Sequence, residues 1–300
     1  MNKIYNAKKI NQMRCISGII MGTVMSILAL ISLILNVANY YNDDVPEAGM
    51  GTLRMFTTLS NLLVGAGAFL TIPFQIEGLR KKNYHLPRWI VDVMYFGTLG
   101  VALTFVAAIT AISMAQGFGV AMFSKSNIFL HTINPIIAII LFTFINCDHN
   151  IKFHKSLLSL IPIFIYSIVY LLLAIIIGEE SGGWRDVYGF NAFVPWPITY
   201  LIILGITFGL SNLLRFLHNK KHAHTKKMIN AYYMKSPDYD NDDINSAIIK
   251  LADDANYKDG NIEVPLIFIK IFKERFNSDK SLEELSTIYI NNIVKEKNQI

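Results

Sequence analysis

Charge is what this sequence has least of. Only 16% of its 300 residues are Asp, Glu, Lys or Arg, against roughly 25% in an ordinary globular chain. The deficit is regional: residues 15–217 hold 10 basic and 9 acidic side chains, whereas residues 218–300 hold 13 of each. A body this poor in charge excludes a secreted enzyme, a disordered chain and a cytosolic globule. Cysteine is scarcer still. Cys15 and Cys147 are the whole complement, too few for a disulfide framework, a cysteine-rich metal site or an iron–sulfur cluster. Glycine-rich phosphate loops, nucleotide fingerprints, internal repeats and low-complexity tracts are all missing. The formal charge of +5 does not argue for nucleic acid, because residues 218–300 sum to zero. The excess lies in and beside the greasy body, where basic residues orient membrane segments. No cleavable signal peptide is expected, since the first apolar run is too long for one and reads as a retained anchor.

What is present is a series of six stretches free of charge: Cys15–Ala38, Met55–Ile76, Val93–Ser124, Ser126–Cys147, Ser156–Gly178 and Val187–Leu214. The shortest makes about 33 Å of helix, enough to cross a hydrocarbon core of roughly 30 Å. The third and sixth are overlong, and Gly117–Ser124 and Val187–Trp196 are expected to be loop. The sequence therefore predicts an all-α, polytopic integral membrane protein with six transmembrane helices over residues 1–217. Fifteen basic residues, from Lys3 to Lys227 and including Arg14, Arg80, Lys81, Lys152 and Arg215, flank one side; Arg54, Lys125 and Arg185 flank the other. That bias implies a multi-pass cell-membrane protein with both termini cytoplasmic. The opposite loops are acidic, carrying Asp43, Asp44, Glu47, Glu179, Glu180 and Asp186. Both cysteines fall on the reducing side, as expected of free thiols.

Residues 218–300 read as a small helical cytoplasmic tail. Ile244–Leu251 forms a short capped helix, and Val264–Phe276 and Leu282–Val294 are amphipathic, the last opened by the capping box Ser281 and Glu284. Such a tail suits self-association or a protein partner better than catalysis.

Within the spans, polar and ionisable side chains are costly and so point to function. Six of the seven histidines lie in the basic flanks; only His131 falls inside a span. It stands six residues beyond Lys125, about 9 Å along a helix. On the second span Thr57 and Thr58 follow Arg54 at a similar depth. Asn61 is one turn from both threonines, and Asn134 one turn from His131. A threonine hydroxyl becomes a nucleophile when a base takes its proton, and histidine is the base suited to neutral pH. The acyl-transfer reading makes Thr57 the nucleophile and His131 the base and later acid, with Asn61 or Asn134 as oxyanion donors. Against it stands a structural reading, in which membrane threonines bond to the carbonyl one turn back and polar pairs hold helices together.

Other candidates are weaker. Trp184 and Asp186, in the loop that also carries Tyr188 and Asn191, suit a substrate grip or simply an interfacial aromatic belt. Asp92 reads as an interfacial carboxylate. His218, His222 and His224 have metal-ligand chemistry but sit among lysines, so a basic surface flank is the simpler reading and no metal or cofactor is expected. Gly65 with Gly67, and Gly97 with Gly100, read as small-residue helix contacts.

The segments Met-Phe-Thr-Thr-Leu-Ser-Asn-Leu-Leu (55–63) and His-Thr-Ile-Asn-Pro (131–135) resemble the androgen-induced and androgen-dependent six-span membrane proteins and their bacterial relatives. The resemblance covers roughly residues 52–147. It implies a membrane threonine and histidine acting as the catalytic pair that hydrolyses fatty acid esters of hydroxy fatty acids. It places the nucleophile at Thr57, with Thr58 as the neighbouring alternative, and the histidine at His131. The expected function is thus a membrane-embedded threonine hydrolase of lipid or fatty-acid esters. The alternative is a non-enzymatic transporter or lipid-binding protein using the same polar residues.

Overall fold

The computed structural model describes residues 7–38, 49–81, 86–190 and 195–235. Over these the protein is helical without strands, and six helices are long and apolar enough to cross a membrane. They are α1 (Ala7–Val37), α2 (Phe56–Arg80), α3 (Arg88–Gln116), α4 (Ile128–Ile145), α5 (Phe153–Ile177) and α6 (Trp196–Lys235). Each charge-free run carries one of them. The tail helices expected after residue 235, the acidic residues Asp43, Asp44 and Glu47, and Asn191 lie outside the described residues. The chain divides into two units. Asn11–Thr225 forms the bundle; the other unit is Met1–Ile10 with Lys226–Ile300, of which only the helical stretches 7–10 and 226–235 are described.

One expected loop is helical. Gly117, at φ 86°, breaks the chain after α3, but Phe118–Phe123 then forms a further short helix before Lys125 at φ 50°. This segment is apolar, with Phe118, Val120 and Phe123 facing outward. Backbone groups among such side chains are best satisfied within a helix. Thr132 ties it to α4 by donating to the carbonyl of Met122 at 2.7 Å.

The bundle buries polar side chains among an apolar core and turns large apolar side chains outward. Thr57, Asn61, Gln75, Asn134 and Ser211 are buried, while Ile27, Phe69, Ile176 and Leu201 point outward. Helices α1, α2 and α3 approach closely through small residues, as the glycine pairs predicted. A Cβ on Gly97 would sit 2.7 Å from Cα of Val64, and one on Gly65 would sit 2.5 Å from Cβ of Ala29. Ser26 of α1 reinforces the second contact by donating to the carbonyl of Gly65 at 3.1 Å.

At one end of the bundle the α4–α5 loop is clamped from several sides. Arg14 donates to the carbonyl of Ile145 at 3.1 Å and pairs with Asp148 at 3.8 Å. Asn219 of α6 both donates to and accepts from the backbone of Ile151, at 2.9 and 2.8 Å. His218 is not a surface flank: it is fully buried, with Nδ1 2.9 Å from the carbonyl of Phe142 and Nε2 2.9 Å from that of His149. The reason is that the helix of α6 continues past Leu214 without a break and carries His218 and His222 under the loop, while His224 stays exposed. His222 adds a contact to the carbonyl of Cys147 at 3.1 Å. Burial pushes the Cys147 thiol up, and the neighbouring Arg14 offsets part of that rise. Asp92 is paired with Lys155 of α5 at 2.6 Å.

Candidate functional site

The other end of the bundle holds Thr57 and His131. Helix α2 begins at Phe56 with no side-chain cap from its own N-cap residue, Met55. The first-turn N–H of Phe56 donates instead to the hydroxyl of Tyr166 on α5 at 3.1 Å, and that hydroxyl donates to the carbonyl of Arg54 at 2.8 Å. A side chain from another helix thus supplies the cap that free helical N–H groups require. The ring of Tyr166 also packs on Phe56, centroids 5.1 Å apart.

Two adjacent threonines in that first turn differ sharply. The Thr58 hydroxyl is 3.2 Å from the Thr52 hydroxyl, a buried pair. Thr57 is buried too, yet its hydroxyl makes no bond to the preceding turn. Thr71, Thr104, Thr110 and Thr207 do, each donating to the carbonyl three or four residues earlier.

Asn61 joins the two helices that matter. Its Nδ2 donates to the carbonyl of Thr57 at 2.8 Å and to that of Leu130 at 3.3 Å, and its Oδ1 accepts from Nδ2 of Asn134 at 2.9 Å. Thr57 and the residue before His131 are therefore held to one side chain. Both Asn61 amide hydrogens are engaged, which leaves it positioning the helices with no free N–H. Asn134 keeps one N–H unengaged, and its Oδ1 is buried without a partner.

His131 lies in a wide, π-type turn, Ile128–Ile133, at the start of α4. Such turns break the regular ladder and often accompany functional residues. The imidazole is buried, lies against the backbone of Thr104 on α3, and its Nδ1 has no hydrogen-bond partner. No direct hydrogen bond joins it to Thr57.

No family model, curated protein or solved structure matches this chain.

The loop after α5 supplies a third component. Gly178 and Gly182, at φ 72° and 84°, turn the chain back so that the N–H of Trp184 donates to the carbonyl of Leu173 at 2.9 Å. Gly183 must be glycine here, because a Cβ would lie 2.2 Å from that same carbonyl. Trp184 receives the Arg54 guanidinium over its ring at 5.8 Å. Asp186 accepts from the hydroxyl of Tyr170 at 2.8 Å, and Tyr170 accepts in turn from the N–H of Tyr188 at 3.1 Å. Trp184 and Asp186 thus fasten the loop to α5. Tyr188 is the loop residue that reaches Thr57. Its hydroxyl is buried and faces the Thr57 hydroxyl, the Phe56–Thr57 backbone and Tyr166, yet closes no hydrogen bond. Burial holds the phenol above its ordinary range, although the same neighbours pull it down.

Sequence reasoning did not single out Tyr166. A signal existed: Tyr166 and Tyr170 are one turn apart in a mostly apolar span, a pattern that puts two hydroxyls on one face. Among the described residues no three His, Cys, Asp or Glu side chains gather where an ion would be held.

Proposed function

We propose that the protein is a membrane-embedded threonine hydrolase of lipid or fatty-acid esters, with Thr57 as nucleophile and His131 as proton carrier. The observation that carries this reading is the pairing of two buried, underused groups across the Asn61 junction: a threonine hydroxyl that is not bonded back to its helix, and an imidazole with an unpartnered Nδ1. Unpartnered polar atoms in an apolar interior cost free energy, so their presence supports a site built to meet a ligand. Thr57 is favoured over Thr58 because the Thr58 hydroxyl is already paired with Thr52. The absence of a direct Thr57–His131 bond supports the second reading, a chamber that binds a lipid or carries it without chemistry. In the hydrolase, the two groups close on each other when the ester enters.

The bias of the basic flanks supports cytoplasmic termini and a site toward the outer leaflet of the cell membrane, with substrate arriving laterally from lipid. The test uses purified full-length protein in nanodiscs with long-chain esters and an acyl-directed fluorophosphonate. Wild type should hydrolyse the ester and label at Thr57, and Thr57→Ala and His131→Ala should each abolish both at normal expression. Saturable binding of the ester without turnover or labelling would select the binding reading. Undiminished hydrolysis by Thr57→Ala would transfer the nucleophile to Thr58 or end the mechanism.

A further inference from the structure

Acyl transfer through Thr57 needs a donor for the negative charge that develops on the ester carbonyl oxygen, and the asparagines are poorly placed to give it. Both N–H groups of Asn61 are engaged by backbone carbonyls, and Asn134, although it keeps one N–H, is tied to Asn61 and makes no contact with Thr57. A side chain beside the Thr57 hydroxyl that still has a proton to give is the phenol of Tyr188, which is buried, unpartnered and fixed from behind. Its own N–H is held by the Tyr170 hydroxyl, which is held by Asp186, so the loop enters as a braced arm. Ring contacts complete the brace, with Tyr188 and Tyr170 centroids 5.1 Å apart and Tyr170 and Phe190 5.2 Å apart.

We propose that Tyr188 is a catalytic residue, donating its phenolic hydrogen bond to the carbonyl oxygen of the ester as Thr57 attacks. The inference rests on the hydrolase reading above. Thr57 Oγ1 forms a bond to the carbonyl carbon, the π pair moves onto the oxygen that Tyr188 grips, and the threonine proton passes to His131. Collapse breaks the bond to the alkoxy oxygen, which leaves with the proton from His131. Water then attacks the acyl-threonine and gives its proton to His131. Tyr188 grips the second oxyanion in the same way, and collapse returns the proton to Thr57 with release of the acid. Tyr188 stays protonated throughout, since burial opposes its ionisation and a neutral phenol is the better donor. A preorganised donor aimed at the developing charge, held in place before the substrate arrives, is the usual device for this step.

The test is Tyr188→Phe in the full chain in nanodiscs. Loss of a single oxyanion donor predicts a fall in kcat of about a hundredfold with little change in KM. Affinity for an alkyl trifluoromethyl ketone, which forms a tetrahedral oxyanion on Thr57, should fall in parallel, while affinity for the non-hydrolysable ether analogue of the ester stays unchanged. A residue that merely packed the loop would move both affinities together. Should Tyr188→Phe lose its fold, a fluorinated tyrosine at position 188 keeps the shape and alters only the acidity, and must change kcat. Wild-type kcat in Tyr188→Phe, or no response to ring fluorination, overturns the proposal while leaving Thr57 and His131 as the site. A wild-type protein with neither turnover nor Thr57 labelling removes the hydrolase reading and this inference with it.

Discussion

The bundle buries two histidines almost equally, His131 at 6% exposure and His218 at 0%, and treats them in opposite ways. His218 has a backbone carbonyl at each ring nitrogen and the ring of Phe142 beside it, centroids 4.5 Å apart. His131 has an unpartnered Nδ1, and one turn on along the same helix Asn134 has an unpartnered oxygen. Burial is the same; satisfaction is not. The difference teaches that a buried histidine signals function when its hydrogen bonds are left open, because a fold under no other demand closes them. His218 is gripped at the α4–α5 loop end, whereas His131 keeps Nδ1 open at the Thr57 end.

That contrast breaks if the two histidines respond alike. The largest effect is expected from His131→Ala: ester hydrolysis falls by about a thousandfold, within the range for loss of a general acid–base. Its thermal midpoint in mild detergent stays at or above wild type, since an unpaired buried group is removed. Next comes His218→Ala, which removes the ring N–H that one of the carbonyls of Phe142 and His149 accepts and empties the space against Phe142. Stability should fall by about 2–4 kcal/mol, read as a lower midpoint, with turnover per folded molecule preserved. A normal midpoint for His218→Ala, or a collapsed one for His131→Ala, would erase the distinction. Asn219→Ala removes two bonds to Ile151 and should cost about 1–3 kcal/mol, again without touching turnover. The smallest effect concerns Cys147. Its thiol is raised by burial, so the reactive thiolate is scarcer than in a free cysteine at any pH up to its own range. Alkylation by N-ethylmaleimide should be slower than for a model thiol at pH 8 and still climbing where the model thiol has levelled off. The same sign makes the folded state lose stability as pH rises through that range, because unfolding then releases a proton.

The membrane plan was legible because it depends on length and charge alone. Runs without Asp, Glu, Lys or Arg located all six helices, and Gly65, Gly97 and Gly100 marked where helices meet. Depth was legible too: counting from Arg54 and Lys125 put Asn61 and Asn134 at one level, and they bond at 2.9 Å. Helix rotation and loop return were not. Nothing in the local sequence tells that α6 continues past its charged boundary and tucks His218 under a loop, since the same basic residues flank any inner membrane face. Nor does Tyr188 announce itself. Its approach to Thr57 depends on three glycines folding residues 178–184 back against α5, a contact between segments more than a hundred residues apart. Tyr166 was hidden for a related reason, because its partner is a free N–H on another helix and unbonded helix ends have no side-chain signature.

The Tyr166 contact has a mechanical meaning. Helix α5 turns Ile165, Ile168 and Leu172 outward, toward lipid, and with the next residue round holds the amide of Phe56. Any tilt or rise of α5 that follows the thickness of the surrounding bilayer therefore pulls on the first turn of α2, one residue from the Thr57 hydroxyl. The face that α5 turns to lipid is thus tied, through a single phenol hydroxyl, to the residue that precedes Thr57.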